Sequence, residues 1–325
     1  MKFFEKSQAE EPQAPTAKAE KKIEIHSETV DVGGEKITVS WKEFSPAKNA
    51  EVPTDSAVVF FPGWSAGGAE TLNHLTQRFA EESGNNAFSI TTRAEKVIPD
   101  SLYQEAKAVR EIIIEKGLKQ ITLAGHSEGG SKAVNLIDIL QKENPDIFIR
   151  GLALLDPVGL YEQSQRELIG AFAKDTMVNT PATAAKNFLK DPSLTVKALQ
   201  AGSDIIFNIA REIKMGGMEY IARFHALLEI AKANKRYAKV KCPVVLIQGE
   251  QDPVSSHDRV IPSEKDPVLL SKRREILKNT FFPNSPQVDM LVPKKIGHHG
   301  LPHFRADEVA KTSIYMLDRY WRKQK

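Results

Sequence analysis

The sequence predicts an α/β protein: a mostly parallel, twisted sheet with helices on both faces and a helical segment inserted between its later strands. Three observations predict it. Between residues 56 and 158, apolar runs such as "AVVFFPG", "QITLAGHS" and "IRGLALLDP" alternate with helical stretches. The alternation stops over residues 159–238 and then resumes. A turn rich in glycine, "GHSEGG", joins one apolar run directly to a helix. Strands that read as unbroken apolar runs are buried on both faces, which is the habit of a parallel sheet flanked by helices and wound by right-handed crossovers.

Residues 1–22 are rich in Glu, Lys, Ala, Gln and Pro and carry few large apolar groups, so a flexible tail is expected. "KIEIHSETVDVGGEKITVSWKEF" alternates on both sides of "DVGGEK" and predicts a hairpin. After "AVVFFPG", the stretch "AETLNHLTQRFAEES" reads as a helix and "NAFSITT" as a strand. "SLYQEAKAVREIIIEKG" reads as a helix with Ser101 as its cap and Gly117 as its stop. "GGSKAVNLIDILQKENP" predicts the helix that follows "QITLAGHS".

Residues 159–238 hold no convincing strand. "DIIFNIAREIK" and "MEYIARFHALLEIAK" predict amphipathic helices. A structureless loop of that length is rare. The reading is a helical cap or lid inserted into a core made of residues 23–158 and 239–325. The core resumes with "CPVVLIQGEQDP", a charged helix near 269–279, "QVDMLVPKKIGHHG" and a closing helix "ADEVAKTSIYMLDRYW".

Composition narrows the function. The 325 residues carry 45 basic and 42 acidic side chains, a net charge of +3, which argues against a nucleic-acid-binding face. No apolar stretch is long enough for a transmembrane helix, and the first residues lack the apolar core of a secretory signal. A cytoplasmic protein is expected. The one cysteine, Cys242, opens the apolar run "CPVVLI" and is expected to be buried and inert.

Gly125-His126-Ser127-Glu128-Gly129 fits G-x-S-x-G in the strand-to-helix context that a nucleophile elbow requires. The phosphate-cradling glycine patterns fail here. A serine hydroxyl needs a base within hydrogen-bond reach, and the base needs an orienting acid. "VVLIQGEQDPVSS" places Asp252 just past a strand, and "IGHHGLPHF" places His298 ahead of the last helix. The order Ser, Asp, His suits this kind of sheet. Asp156, after "IRGLALLD", is a second candidate acid or a cap, and His299 and His303 compete with His298. The three histidines do not show a recognised metal-ligand spacing. His126 is expected to be structural.

With these residues in hand the chain resembles the α/β-hydrolase fold superfamily, in its serine-hydrolase branch with a helical lid. "FFPGW", "GHSEGG", "GEQDP" and "IGHHG" stand where that family places oxyanion loop, nucleophile, acid and base. The resemblance implies Asp252 as the acid, from its Gly-x-x-Asp context, and His298 as the base, directly after a glycine. It implies oxyanion donors at the backbone N–H groups of Glu128 and Trp64, with Ser65 in reserve. Many relatives carry histidine where this chain has Pro62, and Gly67 and Gly68 let the loop approach a substrate or simply turn it. Serine at the elbow points away from the dehalogenase and epoxide-hydrolase branches. The activity implied is hydrolysis of a carboxylic ester of a small molecule through an acyl-serine, with no metal or organic cofactor. A thioesterase, an acyltransferase, an aminopeptidase using Glu212 or Glu219, and a catalytically silent ligand-binding protein are the alternatives.

Overall fold

A computed structural model describes residues 24–46, 52–63, 72–96, 98, 100–179, 182, 229–232, 234–256 and 267–324. Among them one eight-stranded sheet runs in the order β1-β2-β4-β3-β5-β6-β7-β8. The strands are β1 (Ile25–Val32), β2 (Glu35–Phe44), β3 (Ser56–Phe61), β4 (Asn86–Ala94), β5 (Gln120–His126), β6 (Phe148–Leu155), β7 (Val244–Ile247) and β8 (Val288–Leu291). β1 and β2 form the expected hairpin, and β2 also pairs antiparallel with β4. All other pairings are parallel.

Burial on both faces explains the unbroken apolar runs. Along β3, Ala57, Val59 and Phe61 join the cluster under α2 (Ser101–Glu115) and α3 (Glu128–Glu143). Val58 and Phe60 point the other way, toward Leu75 and Phe79 of α1 (Asn73–Ser83) and Val309 and Ile314 of the last helix, α7 (Ala306–Arg322). β6 and β7 alternate in the same way, with Leu154 and Leu246 on one side and Leu155 and Ile247 on the other. The first half of the 159–238 segment supplies α4 (Gln165–Lys174), and α5 (Pro267–Phe281) and the short α6 (Gly300–Phe304) precede α7. No helix among the described residues is long and apolar enough to cross a membrane.

Two sequence expectations change. Ser101 is the first residue of α2 rather than its cap, because the cap is made from elsewhere. The Glu229 carboxylate accepts the N–H groups of Ser101 and Leu102 at 2.9 and 3.2 Å, taking the orphan donors that open a helix. α6 also interrupts the loop before α7, which the sequence reading left without structure. The tail of residues 1–22 and the predicted helices at 204–214 and 218–232, save 229–232, lie outside the described residues.

The sheet sets up a functional edge. His126, Leu155, Ile247 and Leu291, the last residues of β5 to β8, pair side by side in one row across the sheet. Every chain leaving that row turns off the same carboxyl edge, where open α/β sheets gather ligands. Parallel strands sit about 4.8 Å apart, so β8 is roughly 14 Å from β5. Residues 292–297 can span roughly 20 Å when extended, enough to return the next residue to the head of β5.

Candidate active site

Ser127 follows β5 directly. Its backbone has φ 54° and ψ −123°, a conformation that costs roughly 1–3 kcal/mol in a residue with a Cβ. The surroundings hold it there. Ser127 N–H donates to Leu155 O at 2.9 Å, and its carbonyl accepts from Gly130 N at 3.0 Å and Val158 N at 3.3 Å. The turn also demands glycine at 129, where a Cβ would lie 2.1 Å from the carbonyl oxygen of Phe61. This sharp corner lets α3 begin immediately, with its N-terminus at the serine and its dipole favouring negative charge there.

Three side chains meet at that corner. His298 Nε2 lies 2.8 Å from Ser127 Oγ, and His298 Nδ1 lies 2.9 Å from Asp252 Oδ2. All three residues are buried. Asp252 Oδ1 accepts the N–H of Val254 at 2.7 Å, which fixes the carboxylate's rotation. The natural tautomer follows: Nδ1–H donates to the carboxylate and Nε2 faces the serine hydroxyl.

Burial opposes the imidazolium form of His298, but the Asp252 charge, its hydrogen bond and the nearby Asp175 outweigh that and raise the His298 pKa. Burial likewise opposes the Asp252 carboxylate, and the His298 charge with its hydrogen bond overcomes it and lowers the Asp252 pKa. The competing histidines are placed differently. Burial, then the neighbouring His298 and His303, push His299 down to about 3. Burial alone pushes His303 down to about 4. His126 is held well below its usual range by burial and by His298, and its Nε2–H donates to the His298 carbonyl at 3.2 Å. It braces the His298 loop from behind.

Asp156 is not a cap. It directly follows β6 with φ 45°, its N–H donates to Ile247 O at 2.8 Å, and its Oδ1 accepts the N–H of Gly249 at 2.7 Å. Burial and the adjoining Asp252 carboxylate raise its pKa well above the carboxylate range. Its Oδ2 is buried with no donor facing it. The two facts fit a carboxyl group that shares a proton with the adjoining Asp252. His126, Asp156 and His298 each bring a ligating atom within 4.8 Å of the others. Both His298 nitrogens are already engaged by Asp252 and Ser127, so the hydrogen-bonded arrangement does not fit a metal at the same time.

The Glu128 side chain, whose purpose the sequence left open, enters a buried ion cluster. Lys132 Nζ reaches Glu128 Oε1 at 2.8 Å, Glu105 Oε2 at 2.7 Å and Thr92 Oγ1 at 3.1 Å. Burial opposes the Lys132 charge, but the two carboxylates more than compensate and raise its pKa. The cluster ties the first turn of α3, and with it the N–H of Glu128, to α2 and β4. The i,i+4 spacing of Glu128 and Lys132 was visible in the sequence, while Glu105 and Thr92 join only through the fold. Lys132→Met, which leaves two carboxylates buried without their cation, is expected to lower stability by about 3–5 kcal/mol in urea unfolding at neutral pH.

Trp64, Ser65, Gly67 and Gly68 lie outside the described residues. Gly63, just before them, is set against the elbow, so that a Cβ there would be 2.9 Å from Ser127 Cβ. Cys242 is buried in the core, and burial pushes its thiol up to about 12, which makes it inert.

No family model and no curated protein sequence matches the chain. Solved structures do. A thermophilic esterase from Thermogutta terrifontis aligns with TM-score 0.55 and 13% identity over 92% of this chain and 98% of that one. An esterase from Pyrobaculum calidifontis aligns with TM-score 0.52 and 17% identity over 91% and 85%. The thioesterase domain from the curacin biosynthetic pathway aligns with TM-score 0.50 and 14% identity over 90% and 98%. At such identities the likeness is one of fold. Together with the strand order and the corner at Ser127, it makes this chain a protein of the α/β-hydrolase fold.

Proposed function

We propose that the protein is a serine hydrolase that cleaves a carboxylic ester of a small molecule through an acyl-serine. One observation carries the reading: an unbroken hydrogen-bond chain from Ser127 Oγ through both His298 nitrogens to Asp252. In this reading Ser127 Oγ attacks the ester carbonyl carbon while His298 Nε2 takes its proton. Asp252 holds the imidazole and stabilises the imidazolium. The tetrahedral oxyanion forms at the N-terminus of α3, where the Glu128 N–H has no acceptor within its own helix. A second donor is assigned to the Trp64 N–H. His298 then returns the proton to the departing alcohol, and water, activated by the same base, releases the acid. The esterase and thioesterase neighbours support ester chemistry at the level of fold.

The test is labelling with a fluorophosphonate followed by peptide mapping. Stoichiometric modification at Ser127, with turnover of p-nitrophenyl acetate, is the expected result. Labelling elsewhere, or none, would sink the assignment. Relative rates on matched esters, thioesters and aminoacyl amides then separate an esterase from a thioesterase or aminopeptidase. Binding of the probe without turnover would indicate a silent relative.

A further inference from the structure

The segment that interrupts the sheet alternation reaches the site through a feature of its own. At the end of α4 the helix widens into a π turn, Asp175–Asn179, and single π turns of this kind recur at functional sites. Asp175 opens that turn and is fully buried. Its Oδ2 accepts the N–H of His299 at 3.0 Å, and its Oδ1 accepts Asn179 Nδ2 at 3.2 Å. The carboxylate sits directly on the backbone of the base loop: a Cβ at Gly297 would lie 2.5 Å from Asp175 Oδ1. A side chain at 297 would have to displace that carboxylate. One turn earlier, Phe172 sets its ring edge-on to His298, with centroids 5.4 Å apart and planes at 89°. Phe172 and Asp175 stand three residues apart and so share a helix face. That face holds the imidazole with a ring and its loop with a carboxylate.

We propose that Asp175 is a positioning residue for the general base, a carboxylate from the inserted segment that fixes the His298 loop and faces the imidazolium with a second negative charge. The inference rests on the serine-hydrolase reading of the same site. The groups surrounding His298 decide the electrostatics. Asp252 comes from the loop after β7, Asp156 from the end of β6, His126 from the end of β5, His299 from the same loop and His303 from α6. Burial lowers the pKa of the last three, and burial with the Asp252 charge raises that of Asp156, so the uncharged form of each is favoured. Burial and the Asp252 charge raise the Asp175 pKa, and the His298 charge and the His299 N–H offset part of that rise, so the carboxylate form is favoured most when His298 is charged. Asp175 thus adds to Asp252 in favouring proton transfer to His298 as Ser127 attacks. Its consequence is that the core does not complete its own base: the inserted segment must be docked for His298 to be held and charged correctly.

The experiment compares wild type with Asp175→Asn and Asp175→Ala on p-nitrophenyl acetate across pH. Asparagine keeps an oxygen for the His299 N–H and loses the charge. The expected result is a kcat lower by roughly 3- to 10-fold with KM little changed, and an acid limb of kcat/KM moved to lower pH. Alanine releases the loop as well and is expected to cost roughly 100-fold. If the alanine variant fails to fold, NMR titration of the His298 ring in wild type and Asp175→Asn reads the same charge without turnover. A midpoint that falls in the asparagine variant supports the proposal. An unmoved midpoint, or a pH profile that overlays wild type with kcat within about twofold, overturns it. Fluorophosphonate labelling runs alongside: wild type labelled at Ser127 with an unchanged asparagine profile sinks only the Asp175 role. Wild type unlabelled at Ser127 sinks the hydrolase reading itself.

Discussion

Ser127→Ala is expected to lower kcat on p-nitrophenyl acetate by roughly 10^4- to 10^6-fold, leaving only what the oxyanion donors and substrate binding supply. The size follows from the interdependence of the group. In the proposed mechanism, without the hydroxyl His298 has no proton to take and Asp252 nothing to support. The same position makes an independent demand on stability. Ser127 is held at φ 54° by its hydrogen bonds to β6 and to the start of α3. Alanine retains the Cβ and therefore the strain, so its unfolding midpoint in urea should match wild type. Ser127→Gly is equally inactive but removes the strain. Strain relief of roughly 1–3 kcal/mol, offset by the extra unfolded-state freedom of glycine, leaves it more stable by about 1 kcal/mol. An inactive variant that is more stable than the active protein is what a strained nucleophile predicts. A surface serine would show neither effect. If glycine and alanine unfold together below wild type, the backbone at 127 is not strained.

Much of this site is legible in the chain because each of its parts leaves a strand. Ser127, Asp156, Asp252 and His298 all stand in or just beyond a turn at the carboxyl edge, and an apolar run of sheet pattern announces each one. Glycine marks the turns, and the order of the runs gives the order of the proposed roles. What the chain does not announce are partners that come from helices. Asp175 stands in a stretch where the sequence carries no motif. Its meaning depends on a widened turn and on the missing Cβ at Gly297, more than a hundred positions away. Glu229 likewise reads as a solvated helix residue, yet it caps α2 from across the molecule. Ser101 satisfied every local rule for a cap and lost to that carboxylate. Local pattern predicts local hydrogen bonds; a half-buried carboxylate from another element is a stronger acceptor and overrides them.

The choice between the two acids of the site was left open by sequence alone, and it yields the second large effect. Asp252→Asn is expected to lower kcat by roughly 10^3- to 10^4-fold, because the amide can present N–H to His298 Nδ1 and stabilise the wrong tautomer. Asp156→Asn should be nearly silent in activity at neutral pH. Asp156 accepts the Gly249 N–H with Oδ1 and lies against the Asp252 carboxylate, and an asparagine would keep the acceptor and offer that carboxylate an N–H. Were Asp156 the orienting acid instead, the two results would exchange. Stability versus pH supplies a check that activity cannot. Burial and the Asp252 charge raise the folded-state pKa of Asp156 above its unfolded value of about 3.9. Its favourable contribution is complete below that unfolded value. It is lost as pH rises toward and through the folded pKa, because only the unfolded chain can release the proton cheaply. Asparagine has no proton to lose. Urea unfolding of Asp156→Asn should therefore gain on wild type steadily as pH increases from 5 upward. A constant difference across that range would mean that Asp156 is ionised in the folded protein, and that the two carboxylates do not share a proton.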